Sequence, residues 1–249
     1  MIRGLWSLTW VEFKVFMREP MGSISALMFP VLLFLGLGLI PTSPDTDASS
    51  SFGRIQVPIP VLAIVFIGLS NVTSLIGIIS IYREGGILKR LRATPLRPYT
   101  ILTAHVLVKL VITALSLTLL MLAGKTFGSI NAQVNLLNFS VAIIFSFTSL
   151  MSIGFVIASI VPTARFAQPL ASFILFPMLA FSPVFIPMEK LDPSAFTFVI
   201  NLSPMTHVVN LLEGIWTGGG WGDHFIAILA LVITFAACIA ISTKVFRWE

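Results

Sequence analysis

Six stretches of this chain, each about twenty predominantly apolar residues long, leave little choice of fold. A helix needs roughly 20 residues to cross a hydrocarbon core of about 30 Å. The runs are about Met21 to Ile40, Pro58 to Tyr82, Thr100 to Gly124, Leu136 to Val161, Gln168 to Pro187 and Phe225 to Val245. Only 10% of the 249 residues are charged and 57% are hydrophobic, whereas a soluble domain carries roughly a quarter charged residues. With so few charges, most of the surface must face lipid. Backbone groups in lipid have to pair within the segment, which selects helices for runs of this length. The chain therefore reads as an all-α integral membrane protein forming one transmembrane domain over 1–249. It has an N-terminal interfacial amphipathic helix, six transmembrane helices and a re-entrant helical segment before the last span.

The net charge of +5 lies between the apolar runs rather than on a polar domain, so anionic lipid headgroups rather than nucleic acid are the expected counterpart. With both termini cytoplasmic, the inner segments hold Arg3, Lys14, Arg18, Arg83, Lys89, Arg90, Arg92, Arg97, Arg165, Lys244 and Arg247. The outer ones hold only Arg54, Lys125 and Lys190. The positive-inside rule fixes that orientation. The first apolar run begins near Met21 and is too long for the core of a cleaved signal peptide. Cys238 is the single cysteine, so neither a disulfide framework nor a cysteine-based metal site is expected.

Residues 1–20 do not form a span. Ile2, Leu5, Trp6, Thr9, Phe13, Phe16 and Met17 recur at helical spacing, with Arg3, Ser7, Lys14 and Arg18 on another face. This pattern predicts a helix lying flat at the cytoplasmic interface. The fifth apolar run is punctuated by Pro169, Pro177, Pro183 and Pro187, each removing a backbone hydrogen bond. Beyond it, the stretch 188–222 is too apolar for an ordinary outer loop. Two short apolar pieces joined at Ser203-Pro204 fit a segment that dips into the outer leaflet without crossing. Gly218 to Gly220, between Trp216 and Trp221, then read as a flexible turn with interfacial anchors.

The segment 83–98, between spans two and three, is the most informative. Ile87, Leu88 and Leu91 share one face of a short helix, with Lys89, Arg90 and Arg92 around the rest. Gly85 and Gly86 precede it, and Pro95 and Pro98 end it. A topology-setting basic loop needs no ordered amphipathic turn; a docking element for a soluble cytoplasmic partner explains both features. Gly124-Lys125-Thr126 imitates the end of a phosphate-binding loop, but Leu119 stands where that loop needs glycine. Energy must then come from another chain or an ion gradient.

His105 and Lys109 lie four apart on one face of the third span. Ionisable groups inside a membrane are candidates for function by default. Lys109 either snorkels to the cytoplasmic headgroups or packs on a neighbouring span, which is the favoured reading, or it contacts substrate. His207 and His224 lack partners at ligand spacing, so no metal site is expected. Glu213, amid apolar residues, fits either a cap on a re-entrant helix or an exit path. No nucleophile-elbow pattern or triad is present, and no catalytic residue is assigned.

Glu84-x-Gly86, Leu88-Lys89-Arg90-Leu91, Thr94-Pro95-Leu96, the run 181–187 (FSPVFIP) and the run 202–207 (LSPMTH) together resemble the signatures of the ABC type 2 exporter permeases. The order of elements is similar over essentially the whole chain. Ser182 is a departure, because many members carry glycine there. The resemblance implies a membrane-spanning subunit of a bacterial-type ABC exporter in the cytoplasmic membrane. It would act as a homodimer or with a sister permease, alongside two cytoplasmic ABC ATPase subunits and membrane lipids. The chain itself would bind no cofactor, ATP and Mg being held by the partner subunit. Glu84, Gly85, Ile87, Leu88, Leu91 and Arg92 would couple to the ATPase. Pro183, Pro187, Ser203, Pro204 and Glu213 would lie in the gating or re-entrant region, with His105 and Lys109 on a possible pathway. The nearly uncharged spans suggest a hydrophobic or amphipathic cargo such as a drug-like compound, lipid or lipid-linked glycan. The alternatives are an ion-coupled carrier or channel without an ATPase, and a membrane anchor or immunity protein that does not transport.

Overall fold

The computed structural model describes residues 2–38, 59–86, 98–126, 135–161, 163–183 and 197–245, and among these no strand occurs. The helices are α1 (Ile2–Arg18), α2 (Pro20–Gly38), α3 (Ile59–Glu84), α4 (Pro98–Thr126), α5 (Leu136–Ile160), α6 (Ala164–Ala180), α7 (Thr197–Leu202), α8 (Pro204–Trp216) and α9 (Phe225–Val245). Among the described residues four helices pass by themselves as long and apolar enough to cross a membrane: α3, most of α4, α5, and α9 with the 3₁₀ turn before it. A fifth candidate is the α1–α2 pair, bent by 88°. The corner forms at Glu19 because Pro20 disfavours helical backbone in the residue before it; α2 restarts with the Ser23 N–H donating to the Glu19 carbonyl at 2.9 Å. The chain is a multi-pass membrane protein.

α6 is shorter than its apolar run. It covers 17 residues, about 25 Å at 1.5 Å per residue, and Pro183 lies in the turn beyond it rather than inside. The reason is local. Pro183 has no N–H to give the Leu179 carbonyl, which accepts instead from the Ser182 N–H at 3.1 Å and the Ser182 hydroxyl at 2.6 Å. Ser182, where glycine is common in the resembling family, is completely buried with its hydroxyl thus occupied.

Small residues and interhelical hydrogen bonds set the packing, as expected where lipid offers helices no hydrophobic drive to associate. α5 lies against α9 and α3. A Cβ on Gly154 would stand 3.2 Å from the side chains of Val72 and Leu75 of α3, and the Ser149 hydroxyl donates across to the Leu231 carbonyl of α9 at 3.2 Å. α2 lies against α4. Pro30 deprives the Ala26 carbonyl of its N–H partner, and the buried Ser116 hydroxyl of α4 reaches that carbonyl at 3.2 Å and Leu27's at 3.1 Å.

The bundle has two parts. α1, α2 and α4 pack together; α3, α5, α6, α8 and α9 form the other part. Their main mutual contacts run through the first turns of α3, which touch α2 and α4, and between α4 and α5. α8 covers 13 residues, about 20 Å, too short to cross alone. It is wedged among α3, α5 and α9 through Met205, Val208, Val209, Leu212 and Ile215. It breaks from α7 at Ser203, and His207 Nε2 lies 2.9 Å from the Asn201 carbonyl.

The glycine turn after α8 is well hydrogen-bonded. The Gly219 N–H donates to the Gly214 carbonyl at 2.9 Å, and the Gly220 N–H to Asp223 Oδ2 at 2.9 Å. Gly218 sits at φ +94°, open to glycine and strained for other residues. His224 rests where Gly214 and Gly219 lack side chains: a Cβ on Gly214 would lie 2.0 Å from its ring.

Candidate functional site: a cleft between the two parts of the bundle

Toward the end that carries α1, the two parts separate around a cavity of about 600 Å³. α1, α2 and α4 supply one wall, α3 and α6 the other. Its mouth is framed by Phe29 of α2 and Phe176 of α6, 49% and 57% exposed. Apolar side chains (Phe16, Phe66, Leu69, Val108) cover much of the wall, while Glu12, Glu19, Thr73, Ser74, His105, Lys109, Gln168 and Ser172 give it polar character. Size and lining are those of a ligand site.

α1 places Glu12 on its inward face, in line with Leu5, Thr9 and Phe16, and leaves Trp6, Trp10 and Met17 exposed. The apolar face expected from the sequence thus divides, one part packing on protein and the other remaining open. The Tyr82 hydroxyl of α3 donates to Glu12 Oε1 at 2.8 Å. His105 Nδ1 of α4 lies 3.8 Å from Glu12 Oε2, an ion pair when the imidazole is protonated. His105 first, and then the Tyr82 hydroxyl, hold the Glu12 carboxyl below its usual range against the opposing effect of burial. This trio ties α1, α3 and α4 together beside the cavity.

One turn further along α4, Lys109 is only 9% exposed. Its Nζ lies 5.2 Å from the centroid of the Phe16 ring, a cation–π contact of about 0.5–2 kcal/mol. Among the described residues no carboxylate lies within 4.0 Å of the ammonium, and the charge of Glu19 acts on it from farther away.

The wall of α3 is irregular where it meets the cavity. Residues Phe66–Asn71 form a π-helical turn, a feature frequent at functional sites. Phe66 and Leu69 of that turn line the cavity. Gly68 meets the start of α8, where a Cβ would stand 2.4 Å from Met205 Cε. The same turn therefore touches both the cavity and the tip of the α7–α8 pair.

The remaining sequence-derived candidates lie outside the cavity. Glu84 and Gly85 close α3: the Gly85 N–H donates to the Ile81 carbonyl at 2.9 Å, the Gly86 N–H to the Arg83 carbonyl at 3.1 Å, and Gly86 takes φ +66°. The neighbouring Arg83 is buried and donates from Nη1 to the Val161 carbonyl at the end of α5. Ile87, Leu88, Leu91, Arg92 and Pro187 lie outside the described residues. Pro183 follows α6, Ser203 marks the α7–α8 break and Pro204 opens α8. The Ser203 and Thr206 hydroxyls are buried without a hydrogen-bond partner among the described residues. Glu213, near the other end of α8, is half-buried, and burial pushes its carboxyl above the usual range. Among the described residues no group of three His, Cys, Asp or Glu is close enough to hold a metal.

Sequence reasoning found His105 and Lys109 but missed Glu12, Glu19 and Tyr82. A usable signal was present: Glu12 is the sole acid in α1 and interrupts its apolar stripe. A family model described as ABC-2 type transporter matches residues 3–217, from α1 through the end of α8, so the whole cavity lies within the match. No curated protein matches the chain.

Proposed function

The chain belongs to the ABC-2 type transporter family, and from that premise we propose that it is the permease subunit of an ATP-driven exporter for hydrophobic or amphipathic substrates. The observation that carries this reading is the cleft: two packed parts, joined through the first turns of α3 and by the Tyr82–Glu12 hydrogen bond, that enclose a cavity of about 600 Å³ between them. Such a construction can change its opening by rocking one part against the other, a shear or hinge motion that leaves each core intact. The chain carries no phosphate-binding loop of its own, so the drive comes from separate ATPase subunits, two per complex with two permease copies or a sister permease.

In this reading the termini are cytoplasmic and the six apolar runs are spans, α6 being the short fifth. The 88° corner and the exposed Trp6 and Trp10 support an interfacial α1. The length and burial of α8 support a re-entrant α7–α8 pair on the outer side. The ATPase docks on the segment from Glu84 to Arg92 and on α1, so its closure reaches the cavity through α1 and through α3, which ends at Glu84. Opening toward the outside follows at Pro183 to Thr206, connected to the cavity by the Gly68–Met205 contact.

Purification in mild detergent tests the proposal. A nucleotide-binding subunit co-purifies, and substitution of Glu84 or Leu88 abolishes coupled ATP turnover while leaving the complex assembled. A complex that keeps full coupling in both variants sinks the docking assignment. The ion-coupled carrier retains one supporting observation, because Glu12, His105 and Lys109 are ionisable groups sharing one cavity. Full transport in vesicles lacking any ATPase would establish it instead.

A further inference from the structure

We infer that the cleft binds an anionic amphiphile, its phosphate or carboxylate head on the Lys109 ammonium and its chain against Phe29, Phe66 and Phe176. As a statement about cargo this rests on the transport reading; the binding itself does not.

Three observations carry it. Lys109 is more than nine-tenths buried, lines the cavity, and has no acceptor among the described residues. With its stem out of solvent, the ammonium is compensated only by the Phe16 face at 5.2 Å and by the charge of Glu19, and its N–H donors are open to a ligand in the cavity. Second, the two acids that share the cavity are poorly placed to receive a cationic ligand. Glu12 already accepts from Tyr82 and faces His105, while the charge of Glu19, exposed at the α1–α2 corner, acts on Lys109 across a screened distance. Third, the neutral polar groups Ser74, Gln168 and Ser172 line the same cavity and can donate to oxyanions. Lys109 and Phe66 are buried in the walls while Phe29 and Phe176 are exposed, which lets an apolar chain extend outward from a headgroup on Lys109.

The test uses the full chain alone in discs of phosphatidylcholine, with no ATPase subunit, so failure of the transport reading leaves its outcome intact. Binding of dodecyl phosphate, dodecyltrimethylammonium and inorganic phosphate is compared by titration calorimetry. Dodecyl phosphate is expected to bind at least about tenfold more tightly than the cation of equal chain length. Lys109→Gln should remove about that preference without changing cation binding, and Lys109→Arg should keep it. Equal affinity for the two head groups, an unchanged anion affinity in Lys109→Gln, or inorganic phosphate matching dodecyl phosphate would each overturn the inference. If Lys109→Gln does not fold, the wild-type head-group comparison still decides. Repeating the titration with phosphatidylglycerol in the discs distinguishes the sources. Competition identifies a membrane lipid as the occupant and undiminished binding a solute amphiphile, and either result retains the anionic chemistry.

Discussion

Glu12 and Glu213 are both about half-buried, yet their surroundings shift them in opposite directions. His105 and Tyr82 favour the Glu12 carboxylate, whereas burial alone acts on Glu213 and favours its protonated form. The linkage signs follow. Glu12, with its folded value lowered, contributes stability above the ordinary glutamate range of about 4.3, and that contribution is lost as pH falls through the folded value. Glu213, with its folded value raised, gives full stability below that range and loses it as pH rises through the folded value. In detergent at neutral pH, Glu12→Gln should therefore lower the unfolding midpoint and Glu213→Gln should raise it or leave it unchanged. Both differences should shrink on acidification. Midpoints recorded across pH would refute this pairing if the two variants moved the same way. Glu12 shows why such residues escape sequence reading: its role depends on a hydroxyl seventy positions away on α3 and an imidazole on α4.

Two pairs of elements are held by arrangements that double substitutions can expose. The Ser116 hydroxyl of α4 serves a carbonyl that Pro30 leaves unpaired in α2. Ser116→Ala should cost about 1–3 kcal/mol, the penalty of a buried acceptor without a donor, and Pro30→Ala in the same chain should recover part of it by restoring the helical bond. Simple additivity would count against the arrangement. At the α8–α9 turn, Gly214→Ala drives a methyl into the His224 ring. An overpacking cost of about 1–3 kcal/mol is expected, relieved when His224→Ala accompanies it; destabilisation that persists in the double variant would refute the ring contact as its cause. The proline pattern announced the break at Ser203, because proline acts on its own backbone and that of its neighbour, whereas α6 runs unbroken through Pro169 and Pro177. The stop of α6 at Ala180 needed more, since it depends on how the Leu179 carbonyl is shared.

For the whole molecule, the proposed topology predicts sidedness. With Cys238 replaced by serine, a cysteine at Lys89 should react with a membrane-impermeant maleimide only after the cytoplasmic face is opened, and one at Asp223 from outside. Labelling of the Lys89 position from outside would reverse the orientation and remove the ATPase from its proposed docking segment. The sequence by itself determined the solvent, the helical class and the approximate positions of the long helices. Apolar length and the scarcity of charge are local properties, and lipid enforces internal backbone pairing wherever they occur. It also carried enough of the 84–96 and 181–207 patterns to indicate the family. The division into two parts and the cavity between them were decided only in three dimensions, by which small residues and hydroxyls met across helices. A cleft is the space left where helices do not pack, and no single helix encodes it. Lys109 is a lone cation in the sequence; it becomes a candidate binding group once Phe16, Phe66 and Phe176, from three other helices, surround the same space.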